Sequence, residues 1–249
     1  MRYQWRLVLD PPLPGKLNME KDLEIMEEVA EGFSPPTLRL YQWSPPAVSL
    51  GYFQDANEVV DLEKCRQMGL DVVRRPTGGR AVLHAEELTY SIIVPEVHPF
   101  IARGGVIDAY RSISRGILTA FNLLGITASL TTEAGNRAVL TPGSCFDTPS
   151  AYEIQINGKK VVGSAQLRRD GIVLQHGAIL FRLPAELYSK ILKKDYREDE
   201  HTSQAELAEK AAGLIDLGFD ISYKRMTRAL VKAFSMVIPA VFSSHDQKM

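Results

Sequence analysis

The chain has 249 residues, 45% of them hydrophobic and 24% charged, the proportions of a globular protein long enough to bury a core without disulfide staples. A net charge of −1 with a pI near 6.5 argues against the basic footprint of a nucleic-acid binder. No apolar run approaches the roughly 18 residues that cross a bilayer, and Met1–Asp10 carries Arg2 and Arg6 where an export signal needs a continuous apolar run, so a cytoplasmic protein without a membrane partner is expected.

In chain order, a first short strand is broken by Pro11, Pro12, Pro14 and Gly15. Asn18 is placed to cap a helix running to about Glu31, with Met19, Leu23, Met26 and Ala30 recurring on one face. Leu38–Trp43 alternates as a strand does, Pro45-Pro46 stops it, and Val48–Phe53 reads as its antiparallel neighbour. Asp55–Met68 patterns as one helix with Val59, Leu62 and Cys65 inward. Ile107–Leu124 patterns as another, with Ile107, Tyr110, Ile113, Ile117, Phe121 and Leu124 in register. Tyr152–Ile156 runs into Asn157-Gly158, a strong hairpin signal, and Asp170-Gly171 makes a second turn before a strand over Ile172–Leu183. Helices are expected over about Pro184–Lys194, Ser203–Ile215 and Ser222–Ile238. Strand pairs followed by helices, without steady alternation, predict an α+β fold: a mixed, largely antiparallel sheet flanked by helices. A single domain over residues 1–249 is expected, sheet-rich to about residue 200 and ending in a helical tail from about 201, with the polar Arg197–Ser203 stretch between them.

Three segments carry candidate chemistry. In Val73–His84, the adjacent Gly78 and Gly79 let backbone N–H groups approach a ligand, and Arg74, Arg75 and Arg80 suit an anionic or carbonyl-bearing group; Ala81, Val82 and His84 follow. The glycine pair reads equally well as a tight turn, and the segment matches neither the phosphate-loop nor the dinucleotide pattern. In Pro142–Ser150, Cys145 sits among Pro, Gly and Ser with no core face to fill, whereas Cys65 on its helix reads as an inert small hydrophobe. Two cysteines without an export signal make no disulfide framework, and no paired Cys/His spacing suggests a metal site. In the hairpin Gly158–Gln166, alternation puts Lys160 and Val162 on one face and Val161 and Gly163 on the other. Lys160 is either a solvated charge beside a turn or a catalytic cation. Gly163-Ser164-Ala165 inside a strand marks a bulge or the close approach of a ligand, and Gln175-His176-Gly177 lies on the next strand.

Taken together, Arg-Arg-Pro-Thr-Gly-Gly-Arg-Ala-Val-Leu-His at 74–84 and Gly-Lys-Lys-Val-Val-Gly-Ser-Ala-Gln at 158–166 resemble the biotin/lipoate protein ligase and lipoyl transferase superfamily. Cys145 to Glu153, Leu174 to Leu180 and Leu-Thr-Tyr-Ser at 88–91 are similar to the octanoyl-carrier-protein:protein octanoyltransferases of lipoate synthesis in Gram-positive bacteria. The resemblance covers Asn18 to about Leu183 and implies a biotin/lipoate protein ligase catalytic-domain fold. It also implies that Cys145 accepts the octanoyl group as a thioester, that Lys160 supports it, and that the Gly-Gly loop and the Gly-Ser-Ala segment line an acyl tunnel. Arg80 stands where ATP-dependent ligases of the superfamily commonly have a third glycine, which weakens an adenylate-binding role for the loop.

On this reading the donor is octanoyl-acyl carrier protein and the acceptor a lipoyl domain such as the glycine cleavage H protein. The enzyme is expected to act as a monomer and to need neither ATP nor metal, because thioester exchange is nearly isoenergetic and the final amide is more stable. A free thiol with a pKa of about 8.5 is mostly protonated at neutrality; an ammonium at Lys160 would favour the thiolate and could donate to the developing oxyanion. Val82 and Val162 are expected to line the tunnel, and His84 and His176 either relay a proton or merely hold their loops. The competing readings are an ATP-dependent lipoate or octanoate ligase, amidotransfer between lipoyl domains, and a non-catalytic acyl- or lipoyl-binding module.

Overall fold

The computed structural model describes residues 3–101, 105–131, 153–193, 204–238 and 240–244. The chain runs β1 (Tyr3–Leu9), α1 (Gly15–Ala30), β2 (Thr37–Tyr41), β3 (Ala47–Leu50), α2 (Ala56–Val59), α3 (Leu62–Gln67), β4 (Asp71–Arg74), β5 (Val82–His84) and β6 (Glu87–Pro95). It continues through α4 (Val106–Leu123), β7 (Ser129–Leu130), β8 (Ile154–Ile156), β9 (Lys159–Arg169), β10 (Ile172–Leu180), α5 (Ala185–Ile191), α6 (Gln204–Lys210), α7 (Tyr223–Val237) and β11 (Ala240–Ser244). An eight-stranded sheet has the order β11-β1-β2-β6-β10-β9-β8-β7, and a three-stranded sheet has the order β4-β3-β5. In the large sheet β1 is parallel to both β11 and β2, and the remaining pairs are antiparallel. This is the expected mixed, largely antiparallel sheet.

The period of two along β6 separates the layers. Leu88, Tyr90, Ile92 and Val94 join the core under α4 and α7, while Ile93 packs with Ile25, Met26 and Val29 of α1 on the opposite face. The small sheet packs Val48, Leu50 and Leu83 against Ala178 and Leu180 of β10 on the α1 side. Both predicted hairpin turns form, with positive φ at Asn157-Gly158 (52° and 78°) and Asp170-Gly171 (53° and 73°), the backbone that a two-residue turn between twisted strands demands.

Several expectations change. Val48–Phe53 does not pair with Leu38–Trp43, because both edges of β2 are taken by β1 and β6; β3 instead founds the small sheet. Asp55–Met68 is two short helices: Val60 is extended (φ −125°, ψ 152°), and Asp61 caps α3 by accepting from the Lys64 amide at 3.0 Å. Val59 and Cys65 are buried as expected, but Leu62 is exposed. Helix α1 starts at Gly15 rather than at an Asn18 cap, and its inward face includes Asn18 and Asp22 while Ala30 is exposed. On α4, Ile113, Ile117 and Phe121 are buried, but Ile107 is exposed and Ala109, Gly116 and Ala120 complete the inner face. The C-terminal part is not purely helical: β11 adds a parallel strand beside β1.

Helices α4 and α7 meet at Gly116, where a Cβ would overlap the Phe234 ring. Gly116→Val should therefore cost about 1–3 kcal/mol of unfolding free energy by overpacking. Urea denaturation checks this: the midpoint should fall at unchanged slope, and an unchanged midpoint would refute the packing.

Candidate active site

The α1-side face of the large sheet holds a buried polar network. Asp22, fully buried on α1, accepts from Arg39 Nη1 at 2.7 Å, from Ser91 Oγ at 2.8 Å, from Tyr41 Oη at 3.2 Å and from His176 Nδ1 at 3.1 Å. Arg39, equally buried on β2, also donates to Asp10 (2.7 Å) and to the Asn18 carbonyl (2.9 Å) and side chain (2.8 Å). Burial alone would raise the Asp22 carboxyl; His176 and Arg39 outweigh it and hold the group below its ordinary value. The carboxylate is thus an acceptor only, so His176 carries its proton on Nδ1 and its Nε2 accepts from the Thr77 hydroxyl at 2.7 Å.

A second chain of the same form lies beside it. His84 meets Glu87 at 2.5 Å through Nδ1 and Ser49 Oγ at 2.7 Å through Nε2. Arg75 donates to Ser49 Oγ at 3.2 Å, so the serine hydroxyl is held by Arg75 and His84 together. Trp43 stacks on His84 with centroids 3.9 Å apart and donates Nε1 to Thr89. Both imidazoles have both nitrogens engaged, His176 with Asp22 and Thr77, and His84 with Glu87 and Ser49.

Between these chains opens a cleft of about 370 Å³ counting its mouth. Met19, Tyr41, Trp43, Val82 and Ala178 form its apolar lining, and Ser49, Arg75, His84, Thr89, His176 and the Gly163-Ser164-Ala165 run of β9 complete it. Gly177 also lines it; a side chain there would meet Ser164 Oγ at 2.6 Å and the Gly163 carbonyl at 2.7 Å. Tyr90 Oη fixes Ser164 Oγ at 2.7 Å from the opposite face of the sheet.

The Gly-Gly loop is a scaffold as much as a wall. Arg75 is buried and directs its guanidinium to the carbonyls of Gly78 (2.9 Å), Arg80 (2.6 Å) and Ser49 (2.7 Å), holding the loop from inside rather than standing open to an anion. Arg74 points the other way, to the Gly51 and Tyr52 carbonyls. A Cβ at Gly51 would lie 1.8 Å from the Gly79 carbonyl oxygen, and Gly79 itself has the left-handed backbone, φ +91°, that favours glycine. Ala81 packs into the core under the small sheet. Val162 is not a cleft residue: the β8–β9 register places an extra residue at Val161, this bulge breaks the alternation, and both valines enter the α4-side core.

Lys160 is buried, and its Nζ donates to Glu153, itself buried at the entry to β8. Glu153 is held in turn by Thr131, whose amide and hydroxyl reach the Glu153 carbonyl at 2.9 and 3.0 Å. The solvated-charge reading of Lys160 is thereby excluded: a cation taken out of water needs its carboxylate. Cys145 lies outside the described residues. Cys65 is buried, and burial with the neighbouring Asp61 pushes its thiol up, as suits an inert core cysteine.

Residues 14–235 match the lipoyl protein ligase A/B catalytic domain. The chain is 43% identical over 218 residues to octanoyltransferase LipM of Geobacillus kaustophilus, covering 86% of this chain and 78% of that one. It is 40% identical over 240 residues to octanoyltransferase LipM of Clostridioides difficile, covering 94% and 88%. The chain belongs to the lipoyl protein ligase A/B family, with octanoyltransferases among its relatives. Within that family the fold is that of the bipartite lipoate protein ligase of Thermoplasma acidophilum, at a TM-score of 0.75, 25% identity and coverage of 99% of this chain and 89% of that one. Among the described residues, no helix of this family member is long and apolar enough to cross a membrane.

Sequence reasoning missed Asp22, Ser49, Thr77, Glu87 and Glu153. A signal existed for Asp22: it sits at helical spacing between Met19 and Met26, a charge on an apolar face. Burial holds the His176 imidazole below its ordinary 6.5 although Asp22 pulls the other way. The unfolded chain therefore binds that proton first, and the stability His176 contributes is complete above 6.5 and lost as pH falls below it. Asp22 acts in the same sense at lower pH, its contribution being present above the ordinary carboxylate value and lost as pH falls through the folded one. Unfolding free energy should drop between pH 7 and 5 with a slope of at most about 1.4 kcal/mol per pH unit from this proton. His176→Asn should flatten that profile; parallel profiles would contradict the assignment.

Proposed function

We propose that this chain is an octanoyltransferase of protein lipoylation. It moves an octanoyl group from acyl carrier protein to the target lysine of a lipoyl domain, such as the glycine cleavage H protein, through a thioester on Cys145. The 43% identity to an octanoyltransferase over most of the chain carries this reading. The buried Lys160–Glu153 pair and the narrow, largely apolar cleft support it. The lipoate protein ligase shares the fold at only 25% identity, and Arg80 in place of a third glycine favours transfer over adenylation.

In the first half-reaction the Cys145 thiolate attacks the donor thioester carbonyl, and the sulfur of the carrier's arm leaves as a thiol after taking up a proton. Lys160, held charged-side inward by Glu153, favours the thiolate and donates to the oxyanion as it forms. In the second half-reaction the acceptor amine attacks the enzyme thioester, its proton is lost, and Cys145 is released as the thiol. The amide is the more stable product, so neither ATP nor a metal is needed. The cleft holds the acyl chain, each buried methylene contributing about 0.8 kcal/mol; Met19, Trp43 and Val82 set its width.

Replacing the buried pair by neutral groups, Lys160→Met with Glu153→Gln, avoids stranding one charge. This double variant should fold yet transfer octanoate about 10²–10³ times more slowly, the cost of losing an oxyanion donor. Transfer within tenfold of wild type, or wild-type transfer that requires ATP, would reject the mechanism.

A further inference from the structure

Beside the cleft lies a broader groove of about 1800 Å³ counting the open solvent at its mouth, and Met19 and Arg75 line both. The groove runs between the start of α1, the loop after β3, β4 and the end of β9. Its charges are one-sided: Lys16, Arg74, Arg168 and Arg169 line it against Glu20 alone. In a chain of net charge −1 this is a concentrated basic patch.

At its rim Tyr52 and Phe53 are 57% and 90% exposed, packed edge to face 5.1 Å apart. The loop that shows them to water is held firmly. Arg74 donates to the Tyr52 carbonyl at 2.7 Å, the Tyr52 amide donates to the Thr77 carbonyl at 2.9 Å, and the Gly51 amide donates to Gln54 Oε1 at 2.8 Å. Aromatic side chains held rigidly in water beside a cationic groove are what a protein partner with an acidic face requires.

We propose that this groove docks the acidic carrier protein that delivers the octanoyl group, its phosphodiester-linked arm passing the groove arginines to enter the cleft at Met19 and Arg75. The inference rests on the transferase reading above. Charge selects the donor over the acceptor: the acceptor delivers a lysine ammonium, which a row of cations repels, whereas the donor brings a phosphodiester and acidic side chains. The present partners of the groove cations do not oppose this. Lys16–Glu20, Arg168–Glu96 and Arg169–Asp170 are 3.6, 3.7 and 3.5 Å apart on exposed or half-exposed side chains, and such pairs exchange readily for a partner's carboxylates.

Titrating holo-acyl carrier protein, bearing unacylated phosphopantetheine, into the full chain and reading fluorescence anisotropy tests the surface. Arg168→Glu with Arg169→Glu should weaken binding at least tenfold and flatten its salt dependence, and Phe53→Ser should weaken it at low and high salt alike. Binding of an unmodified lipoyl domain and the thermal midpoint should stay at wild-type values. Variants that bind the carrier as wild type does, or that lose the lipoyl domain instead, overturn the docking surface. Wild type that takes octanoate from octanoyl-carrier protein while the variants still bind normally rejects the groove and leaves the transferase reading intact. Groove-dependent carrier binding without octanoyl uptake supports the surface and rejects the transferase reading.

Discussion

A carboxylate and a guanidinium buried completely, Asp22 against Arg39, set the terms for the rest of this structure. Taking both charges out of water is costly, and the cost is met only if every donor and lone pair finds a partner. Satisfying them ties α1 to β2 through Arg39, to β6 through Ser91, and to β10 through His176. The same carboxylate fixes the tautomer of His176, which then holds Thr77 and with it the start of the Gly-Gly loop. The cleft owes its rigid wall to a charge that does not itself line it.

The chemistry repeats this design at a second site. Glu87 orients His84 against Ser49 and Arg75, and Glu153 orients Lys160 at the far end of the β8–β9 hairpin. In each case a buried carboxylate holds a nitrogen group in place. Preorganisation of this kind lets a cation act on a developing oxyanion without reorganising at the moment of reaction. The cost falls on stability, since removing any one partner leaves an uncompensated buried charge.

Much of the sheet was legible in the residues. Asn157-Gly158 and Asp170-Gly171 located two turns, and the β8–β9–β10 meander followed from them. What was not legible came from competition between partners. Val48–Phe53 has the pattern of a hairpin strand, but pattern cannot say that β1 and β6 already occupy β2. Alternation puts Val162 on the face of Lys160; the bulge at Val161 that separates them is a register property that appears only when β8 is paired. Of the site, the Gly-Gly loop, Lys160, His84 and His176 were visible as motif residues, yet their carboxylate partners lie from 3 to 154 residues away in sequence. The His84 and Lys160 pairings are local but carry no motif, the His176 pairing is tertiary, and only Asp22 betrayed itself, as a charge on an apolar helix face.

On the proposed mechanism a covalent octanoyl-enzyme forms without ATP. Incubating the protein with octanoyl-acyl carrier protein alone and recording its intact mass is the decisive measurement. Wild type should gain the mass of one octanoyl group, removed by hydroxylamine and absent from Cys145→Ala. An unmodified wild type under conditions that support transfer to a lipoyl domain, or an adduct that persists in Cys145→Ala, would contradict the mechanism.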